Sequence, residues 1–449
     1  MKTRKVAPDA PADGADGGLL ELEVGEAAQG GWCVAREPSG RVVLVRHALP
    51  GERVLAQVTE TTARFARADA VRVLAASPDR VEPPCPHAHP GGCGGCDWQH
   101  ASPEAQRRLK AAVISQQLRR IAGLDREVTV EPLPGDPQGL GWRTRIRFAV
   151  GPDGTAGLRK HRSHEIVDVG HCPIAHPLAD QAGLTAHQWP AAAAVQAVTA
   201  PETGQRAIVV TPATRPPGKS ARQPGQQQRG ERYAQWAELV PDPVLVAGRG
   251  GKLTALRGGP FLQQQAAGRA WRVSAGVFWQ VHPAAADALT EAVRQALQPR
   301  TGDVALDLYC GAGLFAGVLA EAVGPSGTVI GIESDQAAVR DARHNLRATP
   351  WARVHRGDVA EVLGRSDWAQ ARIAVLDPPR AGAGRAVLDR LLAPGTGLGR
   401  VAYVSCDPAT LARDIGLAGQ AGWQLAGLRA FDAFPMTHHV ECVATLTRG

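Results

Sequence analysis

A cysteine and a glutamate near the end of the chain have the residue types that covalent catalysis needs. Cys406 follows the apolar run VAYVS and precedes Asp407-Pro408 and a helical pattern, so it lies at a strand-to-helix turn. A helix N-terminus lowers the pKa of a nearby thiol, and we expect that effect for Cys406. Glu441 lies in the otherwise apolar segment HHVECVATL, and burial there would raise its pKa and make it a usable base. The alternatives are a buried structural cysteine and a solvated glutamate.

This pair suits methylation of a uracil at C5, if uracil is the acceptor. C5 is a poor nucleophile, but a thiolate that adds to C6 produces an enolate, and C5 then attacks a methyl group. A base must next remove the C5 proton so that the thiolate can leave. One thiol and one base in one cleft are therefore required, and we expect Cys406 and Glu441 to fill these roles.

Three further motifs predict a cofactor site. Gly311 and Gly313 belong to a G-x-G-x-x-A pattern that follows a strand, where small residues let a ligand meet the backbone. Glu333 ends the next strand and can bind two ribose hydroxyls, and Asp377 ends a later strand before two prolines. A capping aspartate is the alternative for Asp377. Together they favour an adenosine-containing cofactor, and S-adenosylmethionine over NAD, because no residue set for nicotinamide chemistry follows.

The elements that must position these residues form an alternating series. From about residue 271, strands and helices alternate, which predicts a doubly wound α/β domain with a mainly parallel sheet. The predicted strands are 304–309, 328–332, 373–376, 401–405 and 440–446, and the predicted helices are 284–297, 312–322, 335–348, 384–393 and 408–421.

The rest of the chain divides by composition into three parts. Residues 1–17 read as a disordered tail, and 18–77 as a small OB-like β-barrel, a common nucleic-acid platform that can also serve packing alone. Residues 78–270 read as a small α+β central domain with a flexible, low-complexity insert at 214–232, and residues 271–449 complete the chain. Within the central domain, a helix at 103–122 has a basic polar face, a kind of face that is usually solvated, and RTRIRFAV suits a strand with one basic face.

Overall composition bounds the class of protein. The 449 residues carry a net charge of +7, a modest indication of a polyanionic partner. No apolar run is long enough to span a membrane and the N-terminus lacks an apolar signal region, so we expect a cytoplasmic protein. Eight cysteines in such a chain favour metal or catalytic roles over disulfides, and Cys85, Cys93 and Cys96 lie close together.

In combination, the motifs resemble the TRAM-domain uracil-5-methyltransferases of bacterial ribosomal and transfer RNA. The resemblance extends over nearly the whole chain from about residue 18 and is closest to the iron–sulfur branch that modifies 23S ribosomal RNA. Besides the barrel, it is carried by CPH…CGGC at 85–96, Cys172-Pro173, FWQVH at 278–282, DLYCGAG at 307–313, DPPRAG at 377–382, SCDPATLARD at 405–414 and DAFPMTHHVECV at 432–443.

The resemblance implies a fold, cofactors and site residues. The fold would be a class I S-adenosylmethionine methyltransferase (Rossmann-like) domain behind an OB-like TRAM barrel. Cys406 would be the nucleophile and Glu441 the base. The cofactor site would include Gln280, Tyr309, Gly311, Gly313, Glu333 and Asp377, with Asp358 near the adenine. Cys85, Cys93, Cys96 and Cys172 would hold a [4Fe–4S] cluster, which needs four thiolates; zinc is the chemical alternative. The Cys85–Cys93 spacing is longer than is common in the family.

The resulting hypothesis is a monomeric RNA m5U methyltransferase that flips out its target base. It would act on ribosomal rather than transfer RNA. The alternatives are a transfer RNA m5U methyltransferase, a methyltransferase for an exocyclic nucleobase nitrogen, and a non-catalytic RNA-binding protein.

Overall fold

The computed structural model describes residues 18–213, 226–248, 252–365 and 368–449. The chain consists of two compact units, Met1–Arg80 and Val81–Gly449. The predicted tail at 1–17 lies outside the described residues. No helix in the described parts of the chain is both long and apolar enough to cross a membrane.

The first unit contains a closed five-stranded barrel, as the sequence predicted, with the strand order β1-β2-β3-β5-β4. Its strands are β1 (Leu19–Ala28), β2 (Trp32–Arg36), β3 (Val42–Arg46), β4 (Arg53–Thr61) and β5 (Phe65–Ala75). Alternate side chains fill the interior, among them the fully buried Val43, Val45 and Val54. The buried carboxylate of Glu52 accepts hydrogen bonds from the guanidinium of Arg80 at 2.5 and 2.7 Å and so ties the end of this unit to the barrel.

The second unit begins with a seven-stranded sheet of order β13-β12-β11-β10-β7-β8-β9. These strands are β7 (Arg145–Val150), β8 (Ala156–Arg159), β9 (Ile166–Val167), β10 (Ala192–Ala200), β11 (Gln205–Pro212), β12 (Val244–Ala247) and β13 (Leu253–Arg257), with a short helix α2 (Pro177–Asp180). In β7, Ile146 and Phe148 are buried while Arg147 is exposed, which confirms the predicted alternation. The guanidinium of Arg145, on the same side as Arg147, is buried and donates to the carbonyl of Val277.

A helix borders this sheet where the sequence predicted a flexible insert at 214–232. Residues 214–225 lie outside the described part, but 226–232 belong to helix α3 (Gln226–Leu239). Trp236 is fully buried and stacks on Tyr233 with ring centroids 4.4 Å apart. Residues 226–232 are therefore helical, and the flexibility of the insert stays a prediction.

Helix α1 (Pro103–Gln117) continues as a turn of π-helix, Leu118–Ala122. Its N-cap Ser102 accepts a hydrogen bond from the N–H of Ala105 at 3.3 Å. The predicted solvation of its basic face is wrong for Lys110, which is fully buried. The ammonium of Lys110 donates to Asp432 at 2.5 Å and to the carbonyl of Phe434 at 3.0 Å, so the helix is fastened to a segment more than 300 residues away in the chain.

An eight-stranded sheet forms the rest of the unit, in the order β18-β17-β16-β19-β20-β22-β21-β6. Its strands are β6 (Val130–Pro132), β16 (Val304–Leu308), β17 (Thr328–Glu333), β18 (Ala352–Arg356), β19 (Ile373–Leu376), β20 (Arg400–Ser405), β21 (Trp423–Asp432) and β22 (Glu441–Arg448). A hairpin, β14 (Phe261–Ala266) and β15 (Arg269–Ser274), precedes it. The helices are α4 (Ala285–Leu297), α5 (Leu314–Val323), α6 (Gln336–Asn345), α7 (Val359–Leu363), α8 (Arg385–Leu391) and α9 (Pro408–Gln420).

Every predicted strand and helix of this region is present, and the sheet is mainly parallel as predicted. Strand β22 is the exception, since it runs antiparallel to both β20 and β21. The sheet is covered on both faces: Leu306 and Tyr403 pack into one apolar cluster, and their neighbours Ala305 and Val404 into another. Such burial explains why the strands read as continuous apolar runs.

Candidate active site

The predicted site residues gather along one edge of the eight-stranded sheet. Tyr309 directly follows β16, Glu333 ends β17, Asp358 comes after β18, Asp377 follows β19, and Cys406 follows β20. These five strands are mutually parallel. Because parallel strands end at the same edge, five residues spread over nearly a hundred positions are brought to one crevice.

Glu441 reaches this edge by a different route. It is the first residue of β22, whose pairing places Ser405 opposite Cys442. Since β22 runs antiparallel to β20, the start of β22 lies beside the end of β20. A parallel strand would have carried Glu441 to the opposite edge, away from Cys406.

Cys406 lies among two carboxylates and one guanidinium. Burial, followed by the negative charge of Glu441, raises the pKa of Cys406 to about 11. The charge of Arg380 and its hydrogen bond to the thiol oppose this rise, while Asp377 adds to it. The expectation of a lowered thiol pKa is therefore wrong in this structure, because burial between carboxylates outweighs the helix N-terminus.

Glu441 has the environment that the sequence suggested for a base. Its side chain is buried, with 4% of the residue exposed. Burial and the neighbouring Asp377 raise the pKa of Glu441 well above its usual range, and the positive charge of Arg380 opposes the rise. A carboxylate that gains a proton readily and is shielded from water suits proton abstraction.

Three carboxyl groups, those of Asp307, Glu333 and Asp377, give the floor of the crevice a negative electrostatic potential. Burial raises the pKa of Asp377 to about 7, and burial together with Asp377 and Glu333 raises that of Asp307 to about 8. One oxygen of Asp307 accepts the N–H of Ala316 at 2.7 Å, and the other has no hydrogen-bond partner among the described residues. Such a site favours a positively charged ligand. Asp307 was not among the predicted site residues, although a charged residue inside the apolar strand VALDL was a usable signal.

The glycine turn after β16 holds Glu333 and leaves an open stretch of backbone. The carboxylate of Glu333 accepts the N–H of Gly311 at 3.0 Å and that of Asp335 at 2.7 Å. A Cβ on Gly311 would meet nothing within 4 Å, whereas one on Gly313 would lie 3.2 Å from Ala342. Tyr309 has φ of +66°, a left-handed conformation that costs free energy in a non-glycine residue and is common at functional sites.

Tyr309 and Asp358 are neighbours, as a shared site requires. Burial, then the charges of Asp358 and Asp414, raise the pKa of Tyr309 to about 12. Asp358 also caps α7 by accepting the N–H of Glu361 at 3.1 Å. Gln280 is buried on a separate segment between β15 and α4, and its place in the cofactor site stays a prediction.

The loop that carries Arg380 is held by a buried carboxylate. Asp414 accepts hydrogen bonds from the N–H groups of Ala383 and Gly384 at 2.9 and 3.2 Å and from the hydroxyl of Tyr403 at 2.5 Å. Sequence analysis gave Arg380 no role, although the DPPR motif placed it three residues after Asp377. In the structure it is the cation that acts on both Cys406 and Glu441.

The four cysteines that were predicted to bind a cluster line a cavity apart from this crevice, formed by residues between 85 and 174. Cys85, Cys93, Cys96 and Cys172 all contribute to its wall, and its volume is about 370 Å³. The basic side chains in the wall are Arg143, Arg147, Arg159, Lys160 and Arg162. Burial raises the pKa of Cys172 to about 11, and its neighbour Cys93 contributes.

The thiols do not form a metal site in this arrangement. Among the described residues, no three or more His, Cys, Asp or Glu side chains are grouped so that they could hold a metal ion. The iron–sulfur assignment is therefore not supported by the geometry, and it stays a prediction.

Comparison with known families gives matches along the chain. A family described as tRNA (uracil-5-)-methyltransferase matches residues 363–449, the TRAM domain matches 17–71, and a methyltransferase domain matches 299–375. The first of these ranges contains Asp377, Cys406 and Glu441.

Full-length relatives and one solved structure extend these matches. RNA methyltransferases of Streptomyces avermitilis and Streptomyces coelicolor are 50% and 51% identical to this chain, covering 95% of it and 97% and 92% of themselves. The tRNA (uracil-54, C5)-methyltransferase of Pyrococcus abyssi, solved with S-adenosyl-L-homocysteine, superposes with a TM-score of 0.69 at 22% identity, covering 95% of this chain and 100% of that one. The shared fold is the class I S-adenosylmethionine-dependent methyltransferase fold with an N-terminal barrel.

Proposed function

This chain belongs to the TRAM-domain family of RNA (uracil-5-)-methyltransferases, and from that premise we propose that it methylates C5 of a uridine in RNA through a covalent bond between Cys406 and C6. One observation carries the proposal: antiparallel β22 brings Glu441 to the edge where Cys406 follows β20, beside Asp377 and Arg380. A thiol and a base are thus available in one crevice.

S-adenosylmethionine supplies the methyl group, and the electronegative part of the crevice fits it. The unpartnered oxygen of buried Asp307 and the nearby Asp377 suit the positive charges of its methionine portion. Glu333, fixed by the N–H groups of Gly311 and Asp335, suits the ribose hydroxyls. The open backbone at Gly311 leaves room for a ligand, and Tyr309, Asp358, Gly313 and Gln280 complete the proposed set.

The first chemical step needs Cys406 as a thiolate. Its pKa of about 11 leaves few thiolates at neutral pH, so a cation bound at the neighbouring carboxylates, together with Arg380, would favour ionisation. The thiolate forms a bond to C6, and the electron pair of the C5–C6 double bond moves onto the uracil ring as an enolate.

Glu441 acts after methyl transfer. C5 attacks the donated methyl group and then carries both the methyl group and its original proton. Glu441 removes that proton, the electron pair re-forms the C5–C6 bond, and the thiolate of Cys406 leaves. Its buried position, with a raised pKa, makes the carboxylate a stronger base than an exposed glutamate.

RNA binding is assigned to the barrel and to the basic face of β7. We propose ribosomal RNA as the substrate, supported by the four-cysteine motif and its likeness to the 23S-modifying branch. The names of the matching family and of the superposed structure refer to transfer RNA, so transfer RNA is the alternative to be tested alongside.

The four cysteines are proposed as the ligands of a [4Fe–4S] cluster. Four thiols lining one cavity supply the donor number and chemistry that such a cluster requires. When bound, the cluster would cross-link the 85–96 loop to Cys172, and no step above needs electron transfer. Iron and acid-labile sulfide in anaerobically purified protein would support this assignment, and zinc without sulfide would replace it.

A mechanism trap tests the proposed function. The protein is incubated with S-adenosylmethionine and either ribosomal or transfer RNA containing 5-fluorouridine, whose fluorine cannot leave as a proton. We expect a covalent RNA–protein band in a denaturing gel that Cys406→Ala abolishes and that Cys33→Ala, a buried cysteine in the other unit, retains. Sequencing the trapped RNA identifies the uridine.

The outcomes separate the alternative functions. Cofactor binding without a band, combined with full methylation by Cys406→Ala, would favour an exocyclic nitrogen acceptor. RNA binding with no cofactor binding would favour a non-catalytic protein.

A further inference from the structure

The segment that leads to Glu441, residues 432–440, is held by hydrogen bonds to the end of the cysteine-rich loop, residues 85–97. The proposed base follows this segment directly. The carbonyl of Met436, in its middle, accepts the N–H groups of Asp97 and Trp98 at 3.0 and 3.1 Å. The N–H of Met436 donates to the side-chain oxygen of Gln106 at 2.7 Å. Both the backbone N–H and the backbone carbonyl of Met436 are thereby held by residues remote in sequence.

Asp97 makes a second attachment through its side chain. It is buried, and one of its carboxylate oxygens accepts two hydrogen bonds from His438, from the backbone N–H at 3.1 Å and from Nδ1 at 2.7 Å. Two bonds from one residue to one oxygen fix both the backbone and the ring of His438. Asp97 directly follows Cys96, so the cysteine-rich loop ends on this contact.

The contact continues from His438 to the reactive groups. The ring of His438 packs against the ring of His439, with centroids 4.0 Å apart and the ring planes tilted by 42°. Burial, together with His438 and Arg380, lowers the pKa of His439 to about 3, so its ring is neutral and Nε2 can accept a hydrogen bond. Arg380 donates to that nitrogen at 3.3 Å.

We infer that Asp97 is a positioning residue for catalysis: by fixing His438 it orients His439, which holds the guanidinium of Arg380 beside Cys406 and Glu441. This inference rests on the proposed function. It assigns to the cysteine-rich loop a role at the active site, because the carboxylate next to Cys96 anchors the series Asp97–His438–His439–Arg380. Residues that orient catalytic side chains without contacting the substrate are a general feature of enzyme sites.

The test uses variants of Asp97 with a matched control. Asp97→Ala removes the acceptor, and Asp97→Asn keeps one amide oxygen that can accept from His438. Asp153→Ala is the control, because Asp153 is an exposed aspartate that also accepts a backbone N–H, that of Thr155. The measurements are kcat, the KM for each substrate, and the pH dependence of covalent bond formation with 5-fluorouridine RNA.

We expect Asp97→Ala to lower kcat by about ten- to a hundredfold, with the KM for S-adenosylmethionine changed less than about threefold. Cys406 faces Glu441, Arg380 and Asp377, and only Arg380 favours its ionisation. If Arg380 is displaced, the pKa of Cys406 rises, and a higher pH is needed to form the thiolate. The increase of covalent bond formation with pH should therefore begin at a higher pH. Asp97→Asn should recover most of the rate, and Asp153→Ala should match the unaltered protein.

A second pair of variants covers the case in which Asp97→Ala fails to fold. His438→Asn keeps a side-chain N–H that can reach Asp97, and His438→Ala does not. Both variants lose the ring contact with His439, so the difference between them isolates the bond to Asp97, and His438→Ala should show the larger pH displacement. An unchanged kcat and pH profile in Asp97→Ala, with only a lower melting temperature, would overturn the inference. So would equal pH profiles for the two His438 variants. Absence of any covalent band in the unaltered protein would instead overturn the proposed function, and this inference with it.

Discussion

The second unit contains two constellations of reactive side chains that are built in opposite ways. The crevice with Cys406 and Glu441 is formed at the ends of paired strands, and the charges of its groups act on one another. The cavity with Cys85 and Cys172 is formed largely by loops, and its thiols are not gathered into a metal site in the described residues.

The difference shows what a sheet contributes to a site. Backbone pairing fixes strand ends within a few ångströms whether or not a ligand is bound, so the crevice has its geometry in advance. Loops have no such pairing, and thiols on loops need a shared ligand to hold them together. The crevice should therefore respond to single substitutions through its chemistry, and the cavity through its stability.

The largest expected effect is in the crevice. Glu441→Gln keeps the size of the base and removes its ability to take a proton, so turnover should fall by about a hundred- to ten-thousandfold. Because the thiol and methyl-transfer steps remain, a denaturation-resistant adduct should accumulate on ordinary uridine RNA, as a gel would show. Glu361→Gln, at an exposed glutamate of α7, is the control. Normal turnover in Glu441→Gln would show that another group removes the proton.

The charge of Arg380 should have the next largest effect. Arg380 lowers the pKa of Cys406, so Arg380→Gln raises that pKa and reduces the thiolate fraction at any given pH. Bond formation with 5-fluorouridine RNA should fall about ten- to a hundredfold near neutral pH, and the deficit should shrink as pH rises. Arg385→Gln, at an exposed arginine of α8, should behave like the unaltered protein. A deficit that is constant across pH would contradict the electrostatic role.

A substitution in the cavity should have a smaller effect on rate and a different signature. Cys172→Ser should lower iron content and melting temperature, because it removes one proposed ligand from a buried position. The rate of bond formation should fall by less than about tenfold, with its pH profile unchanged. A loss of rate as large as that of Arg380→Gln with intact folding would show that the cavity takes part in the chemistry.

The smallest expected effect is on the pH dependence of stability. Burial raises the pKa of Asp307 from its ordinary value of 3.8 to about 8 in the folded protein, so the folded state binds a proton more tightly than the unfolded state. The stability from this group is complete below the unfolded value and is lost as pH rises through about 8. Asp307→Asn should flatten the decline in melting temperature between about pH 4 and about pH 8, and an unaltered decline over that range would contradict the shift.

Sequence patterns predicted the elements of the catalytic sheet well, because strands buried on both faces leave continuous apolar runs and their turns contain glycine and proline. They did not predict β6, β18, β21 or helix α7, nor the direction of β22. Strand β6 has only three residues, and the stretches ARVHR of β18 and WQLAGLRAFD of β21 are only partly buried. Direction depends on which strands are neighbours, a long-range property that no local pattern contains.

The electrostatics of the site was beyond sequence reasoning for a similar reason. The pKa of Cys406 depends on Glu441 and Asp377, whose distance from the thiol follows from strand pairing, so a local rule about helix N-termini gave the wrong sign. Lys110 was misread likewise: its helix pattern is basic, but its partner Asp432 lies at the other end of the chain. The resemblance to a known family supplied the residue roles that physical patterns alone left open.

The position of β22 has a consequence for how the protein is made. Strand β22 follows β20 and β21 in the chain but lies between them in the sheet. While the ribosome has not yet released β22, β20 and β21 each have an unpaired edge, and such edges invite association with other unfinished chains. A chain interrupted before residue 441 would carry the thiol of Cys406 without the carboxylate of Glu441. Synthesis of β22 therefore completes the sheet between β20 and β21 and brings the proposed base to the proposed nucleophile in the same event.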